Sequence, residues 1–363
     1  MRSPAHRPGR KGRACWLIPV AIAASLLLAA GAGPLANGLQ RGKELTASVS
    51  PAVSPARSFV TLNRGGSDQD KAFEEVAVRD SLSGEVTATV PPPANDSWWG
   101  VSAAAANPRT FFLLATDSAW KAHVFRLTVD TDGAVASLIP IDTVRDRGIS
   151  VFAVSPDGGR IAFQREAASS TGTPTGAGVD VIDVGDGSVT TFTTDRGIVN
   201  SFSWSADGRS LAFQLNVVGA ATSLDQAGLW ILDTTRAGGD LLAGSRQVNL
   251  DHQQDDERYQ TPLLSADGDR FYVPTSRPDH GGVEKRLLEF DVATGRQLRV
   301  LWEGHHEYSA LDGSGDGSTL ALDPSGTMLM LNDAGLAVYR IDLATGNAAR
   351  IPLSRGHPAI LAW

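Results

Sequence analysis

Cysteine is all but missing: the 363 residues hold one, Cys15. A lone thiol excludes intrachain disulfides, a Cys-ligated zinc site and an iron–sulfur cluster. Basic charge is scarce beyond the first 43 residues. That front end carries seven Lys/Arg (Arg2, Arg7, Arg10, Lys11, Arg13, Arg41, Lys43) and no acid, which leaves 25 basic against 40 acidic residues for the rest, a net of −15 in a chain whose formal charge is −8. So acidic a body excludes nucleic acid as the main partner, because phosphate binding needs a basic surface. No helical period of useful length follows residue 40, and no G-x-S-x-G nucleophile elbow occurs. Hydrophobic residues make up 42% and charged residues 20%, which supports a sizeable core and excludes wholesale disorder.

What is present begins with an export or anchoring segment. Residues 1–15 form a basic region expected to stay on the cytoplasmic side. Residues 16–36 (WLIPVAIAASLLLAAGAGPLA) carry no charge. Two readings stay open. The stretch is long enough to span a bilayer as a single-pass anchor with the rest of the chain outside. Its Ala30-Gly31-Ala32 also suits signal cleavage, which would release the body to the periplasm or the medium. Cys15 precedes the apolar run, so no lipobox follows it. Residues 37–57 are rich in Ser, Pro and Ala and read as a flexible linker.

The body, 58–363, repeats. FAVSPDGGRIAFQR (Phe152–Arg165), FSWSADGRSLAFQL (Phe202–Leu215), PLLSADGDRFYVPT (Pro262–Thr275) and LDGSGDGSTLALDP (Leu311–Pro324) each read as strand, Asp-Gly-type turn, strand. Their turn aspartates Asp157, Asp207, Asp267 and Asp316 are 50, 60 and 49 residues apart. SAAAANPRTFFLLA (Ser102–Ala115) is a weaker copy that turns at Asn107-Pro108. Between these hairpins lie others, such as VDVIDVGDGSVTTFT (Val179–Thr193) and LLEFDVATGRQLRVL (Leu287–Leu301). Two hairpins per repeat make four antiparallel strands, the unit of a propeller blade. Five blades are expected over about 97–143, 147–195, 196–251, 257–303 and 306–354. Phe59–Leu62 and Phe73–Val90 lack an innermost strand, and Pro358–Trp363 supplies one. The expectation is an all-β, six-bladed antiparallel propeller closed by its N- and C-terminal strands, which leaves only short protected edges.

The repeated S-P/A-D-G-x-x-(I/L)-A-F signature resembles the WD-repeat-like propeller of TolB-type periplasmic proteins, and of the blades beside the catalytic domain of prolyl oligopeptidase-type peptidases. The resemblance covers nearly all of 58–363. It implies the fold and leaves the role open. Neither the α/β domain that precedes the TolB propeller nor a peptidase domain is in this sequence.

Three groups of residues are candidates for chemistry. Asp157, Asp207, Asp267 and Asp316 read as structural turn residues. Asp312-Gly-Ser314-Gly-Asp316-Gly317 resembles the start of a calcium loop, but no Glu stands at loop position twelve. Phe152, Phe202, Trp204, Phe213, Trp230, Phe271, Tyr272 and Trp302 read as packing between blades. The third group lies at the rim where one blade passes to the next. Arg147, Arg196, Arg258, His305, His306, Glu307 and His357 fall a few positions before a first strand, so the rotational repeat would gather them at one end of the channel. Such a rim is either solvated loop, a protein or peptide recognition face, or a small-ligand or metal site through His305, His306 and His357. A ligand held there is expected to be anionic or carboxylate-bearing.

No catalytic set, resident metal or cofactor is read from the sequence. The functional expectation is a non-catalytic, monomeric cell-envelope scaffold that binds a protein or peptide partner and meets the membrane through its N-terminal segment. The rivals are a propeller hydrolase or lactonase with a channel metal, and an extracellular ligand sensor. The apolar, small inner strands (Val151–Val154, Ser201–Trp204, Pro262–Leu264) speak against the enzyme.

Overall fold

The computed structural model describes residues 57–63, 75–94, 96–103, 107–144, 147–148, 151–166, 177–216, 227–251, 257–307, 318–333, 336–353 and 358–363. The apolar segment 16–36 and all of the linker but Arg57 lie outside these residues. Every regular element among the described residues is a strand, and none is a helix able to cross a membrane.

The strands form six sheets around a common axis, the arrangement of a six-bladed β-propeller. In order from the axis outward, blade 1 is Pro358–Ala362, Ser58–Asn63, Glu75–Asp80 and Val86–Val90, so both terminal strands share one sheet. Thr61 lies opposite Leu361 there, and Leu62 opposite Ile360. Blade 2 is Ser97–Ala103, Thr110–Thr116, Lys121–Val129 and Val135–Pro140. Blade 3 is Phe152–Val154, Arg160–Glu166, Ala177–Asp183 and Val189–Thr194. Blade 4 is Ile198–Trp204, Ser210–Asn216, Ala227–Asp233 and Ser245–Val248. Blade 5 begins with two short pieces, Arg258–Tyr259 and Leu263–Leu264, followed by Arg270–Asp279, Gly282–Asp291 and Gln297–Glu307. Blade 6 is Thr319–Leu322, Met328–Asp333, Ala337–Asp342 and Ala348–Ile351. Gly239–Asp240 leaves blade 4 to pair in parallel with Phe192–Thr193, which covers the outer edge of blade 3.

The inner hairpins turn for a local reason. Ser155 Oγ donates to Asp157 Oδ1 (2.5 Å) and accepts from Arg160 N (2.9 Å), while Asp157 Oδ1 accepts from Gly159 N (3.0 Å). Gly158 stands at φ +72°, a left-handed conformation open to glycine. Ser205 with Asp207 and Ser265 with Asp267 repeat the arrangement. Hydrogen bonds, foremost from these serine hydroxyls, hold all three carboxyls below the usual aspartate range.

Blade 6 turns elsewhere than the repeat alignment suggests. Asp316 lies outside the described residues. The turn is formed by Asp323-Pro324-Ser325-Gly326, after the inner strand Thr319–Leu322. Ser and Asp have exchanged places relative to Ser155-Pro156-Asp157-Gly158, and the network survives with its roles swapped. Asp323 Oδ1 accepts from Met328 N (2.8 Å) and Thr327 N (2.9 Å), and Ser325 Oγ donates to Asp323 Oδ2.

An apolar cluster fills each of the six seams between neighbouring blades. The seam from blade 6 to blade 1 holds Phe59, Met330, Val338, Leu361 and Trp363. Two tryptophans also bridge seams by hydrogen bond: Trp98 Nε1 donates to Val90 O (2.9 Å) and Trp204 Nε1 to Ala153 O (3.2 Å). Burial of such side chains, at about 25 cal/mol per Å² of apolar surface, is what holds the blades together.

Candidate functional site

The six innermost strands surround a central cavity of about 590 Å³. Each blade contributes at least one half-buried apolar side chain: Trp99, Phe152 and Phe202 from blades 2 to 4, and Leu263, Leu320 and Ile360 from blades 5, 6 and 1. Among these six, the rings come from blades 2 to 4 and the aliphatic side chains from blades 5, 6 and 1. Phe152 and Phe202 thus pack at seams and also face the cavity. The one charged side chain among the described lining residues is Asp323, whose carboxylate is engaged by its own turn. Ser102 Oγ accepts from Val154 N (3.3 Å) and Ser203 Oγ from Leu264 N (2.8 Å), so lining hydroxyls stitch one inner strand to the next. Ser201 sits at φ +53° where a bulge interrupts the pairing between Asn200 and Phe202.

On the inter-blade side, Trp120 closes the second hairpin of blade 2. It is 64% exposed and stands at φ +61°. Its ring meets Trp99 edge-on, with centroids 6.3 Å apart and planes at 85°. Close by, His123 Nδ1 lies 3.1 Å from Asp96 Oδ2.

The rim residues singled out in the sequence fall in different settings. Arg147 belongs to a two-residue strand paired with Ala122. Arg196 is 72% exposed, its Nε 4.0 Å from Asp195. Arg258 pairs with Ser276 in the first piece of blade 5. His305, His306 and Glu307 are strand residues and not loop: they extend the outer strand of blade 5, opposite Glu284, Val283 and Gly282. Blade 5 is long here because its middle strands run ten residues each, against six to nine in the other blades. His357 lies outside the described residues, as does the calcium-like segment Asp312–Gly317. Among the described residues no group of three or more His, Cys, Asp and Glu side chains is placed to hold a metal ion.

Two buried charge clusters near this rim escape the sequence reading. Lys285 Nζ lies 3.2 Å from Asp333 Oδ1, and His306 Nε2 lies 2.5 Å from Asp333 Oδ2. They join the third and fourth strands of blade 5 to the second strand of blade 6. Arg286 Nη2 pairs with the buried Glu257 at 2.5 Å. His305 reaches an exposed partner, Asp279, at 3.6 Å. Lys285 is one of only five lysines in the chain, the one signal that marked it; Asp333 carried none.

The architecture defines a six-bladed propeller with an apolar channel and a polar rim. Within that class its fold is like that of the TolB β-propeller. It is similar to the crystal structure of TolB from Acinetobacter baumannii, with a TM-score of 0.55 and 13% identity over 84% of this chain. It spans 65% of that TolB chain. It is also similar to the tricorn protease (TM-score 0.48, 15% identity, 84% of this chain and 36% of that one) and to the Dos1 propeller (0.38, 14%, 79% and 66%). No protein family matches the chain by sequence, and no curated protein does.

Proposed function

We propose that the protein is a non-catalytic recognition scaffold of the cell envelope, monomeric, with residues 16–36 as anchor or export signal and the propeller outside the cytoplasmic membrane. The terminal strands of blade 1 act as the clasp of the ring. The inter-blade rim is the recognition face for a protein or peptide. One observation carries this reading: the extension of blade 5. Its strands overrun the start of the inner strand by several residues, at about 3.3 Å per residue, and present the ion pairs Arg277–Glu284 and His305–Asp279 on that side. A rigid projection bearing charged pairs suits a partner of mixed charge. The experiment is capture of the native envelope partner by the full chain and by a variant with Arg196→Ala and His305→Ala. Loss of capture at unchanged melting temperature, and weakening by salt in the wild type, are expected. Unchanged capture would assign recognition to the opposite face, where the Asp-Gly turns lie.

A further inference from the structure

We propose that the central cavity is a binding site for a small, uncharged, predominantly apolar ring compound. This stands apart from the rim reading and holds whether or not a protein docks there. The volume, about 590 Å³, falls in the range of pockets that enclose small ligands. All six blades turn an apolar side chain into it, so apolar surface is kept at the axis where a merely structural channel gains nothing from it. Charge selects against ions. The sole charged side chain among the described lining residues, Asp323, already accepts from Thr327 N and Met328 N and offers neither a cation nor a free carboxylate. The three rings of Trp99, Phe152 and Phe202 on one side favour a flat partner, which stacks or meets them edge-on. Ser102 Oγ accepts an N–H and keeps its own hydrogen, which suits a ligand carrying one acceptor oxygen.

A second observation marks the same place. A tryptophan at positive φ is a genuine backbone outlier, and such strain collects at ligand clamps. Trp120 bears that strain, is largely exposed, and continues the aromatic wall outward from Trp99 on the inter-blade side.

The test is isothermal titration of the full chain with 2-naphthol, against a detergent-matched blank, and with 2-naphthalenesulfonate as its charged counterpart. The expected result is single-site binding of 2-naphthol, with the sulfonate at least about tenfold weaker, a difference of about 1.4 kcal/mol. Leu320→Trp fills the cavity and should abolish the binding. Trp120→Ala, at an exposed position, should weaken it several-fold at unchanged melting temperature. Absence of 2-naphthol binding would overturn the proposal. So would equal affinity for the sulfonate, or binding untouched by both substitutions, which would place the heat in the apolar segment 16–36 or in an aromatic-tolerant surface elsewhere.

Discussion

Lys285 and Asp333 face one another across the seam between blades 5 and 6, with Nζ 3.2 Å from Oδ1 and side chains 1% and 0% exposed. The pair makes no hydrogen bond between those two atoms. Its charges therefore balance without full satisfaction; removing Asp333 takes away the carboxylate facing Lys285, and removing Lys285 leaves Asp333 to His306 alone. Lys285→Met or Asp333→Leu alone should each cost about 3–5 kcal/mol, whereas the double substitution should cost less than either single. Urea denaturation of the three variants measures this. Additive losses would show that the two charges do not depend on each other.

The exchanged turn of blade 6 is open to a swap. Asp323→Ser alone removes the acceptor of Met328 N and should cost about 1–2 kcal/mol. Adding Ser325→Asp restores the Ser-Pro-Asp-Gly order of blade 3 and should recover most of that loss. A double variant no more stable than the single would refute the equivalence of the two networks.

Acid should loosen the inner turns. The carboxyls of Asp157, Asp207 and Asp267 titrate below their ordinary value in the folded state because serine hydroxyls and turn amides hold the charged form. A depressed folded value means the stabilisation is complete above the unfolded value of about 3.9 and is lost as pH falls through the folded ones. Stability measured from pH 6 down to pH 2 should therefore drop below about pH 4. In the triple Asp→Asn variant that part of the drop should shrink. Parallel curves would exclude the three turns as its source.

Deleting Pro358–Trp363 removes the innermost strand of blade 1 and the buried Leu361, Ala362 and Trp363. It also removes two of the acceptors of Asn332 Nδ2, Pro358 O (3.0 Å) and Ala359 O (3.3 Å). The loss should exceed about 4 kcal/mol. A truncation that melts with the full chain would show that the terminal strand is dispensable to the ring.

Most strands, the number of blades and the hairpin pairing of blades 1 to 5 were legible in the residues alone. Those depend on local matters: alternation of apolar residues, and turns such as Ser155–Gly159 whose hydrogen bonds stay within a few positions. The sequence misled where local chemistry was permuted, at Asp323–Gly326, and where a strand simply continued, at His305–Glu307, because neither an exchanged Ser and Asp nor three polar residues announce their conformation. Which side chains meet across seams emerges from the folded ring alone. Lys285, His306 and Asp333 are tens of residues apart and come together through the packing of one blade on the next. The same holds for the cavity: Trp99 and Ile360 become neighbours of one space only when six blades are set around an axis. Contacts of that kind follow from the rigid rotation between blades, which is fixed by the summed packing of all six seams and is written in no single segment.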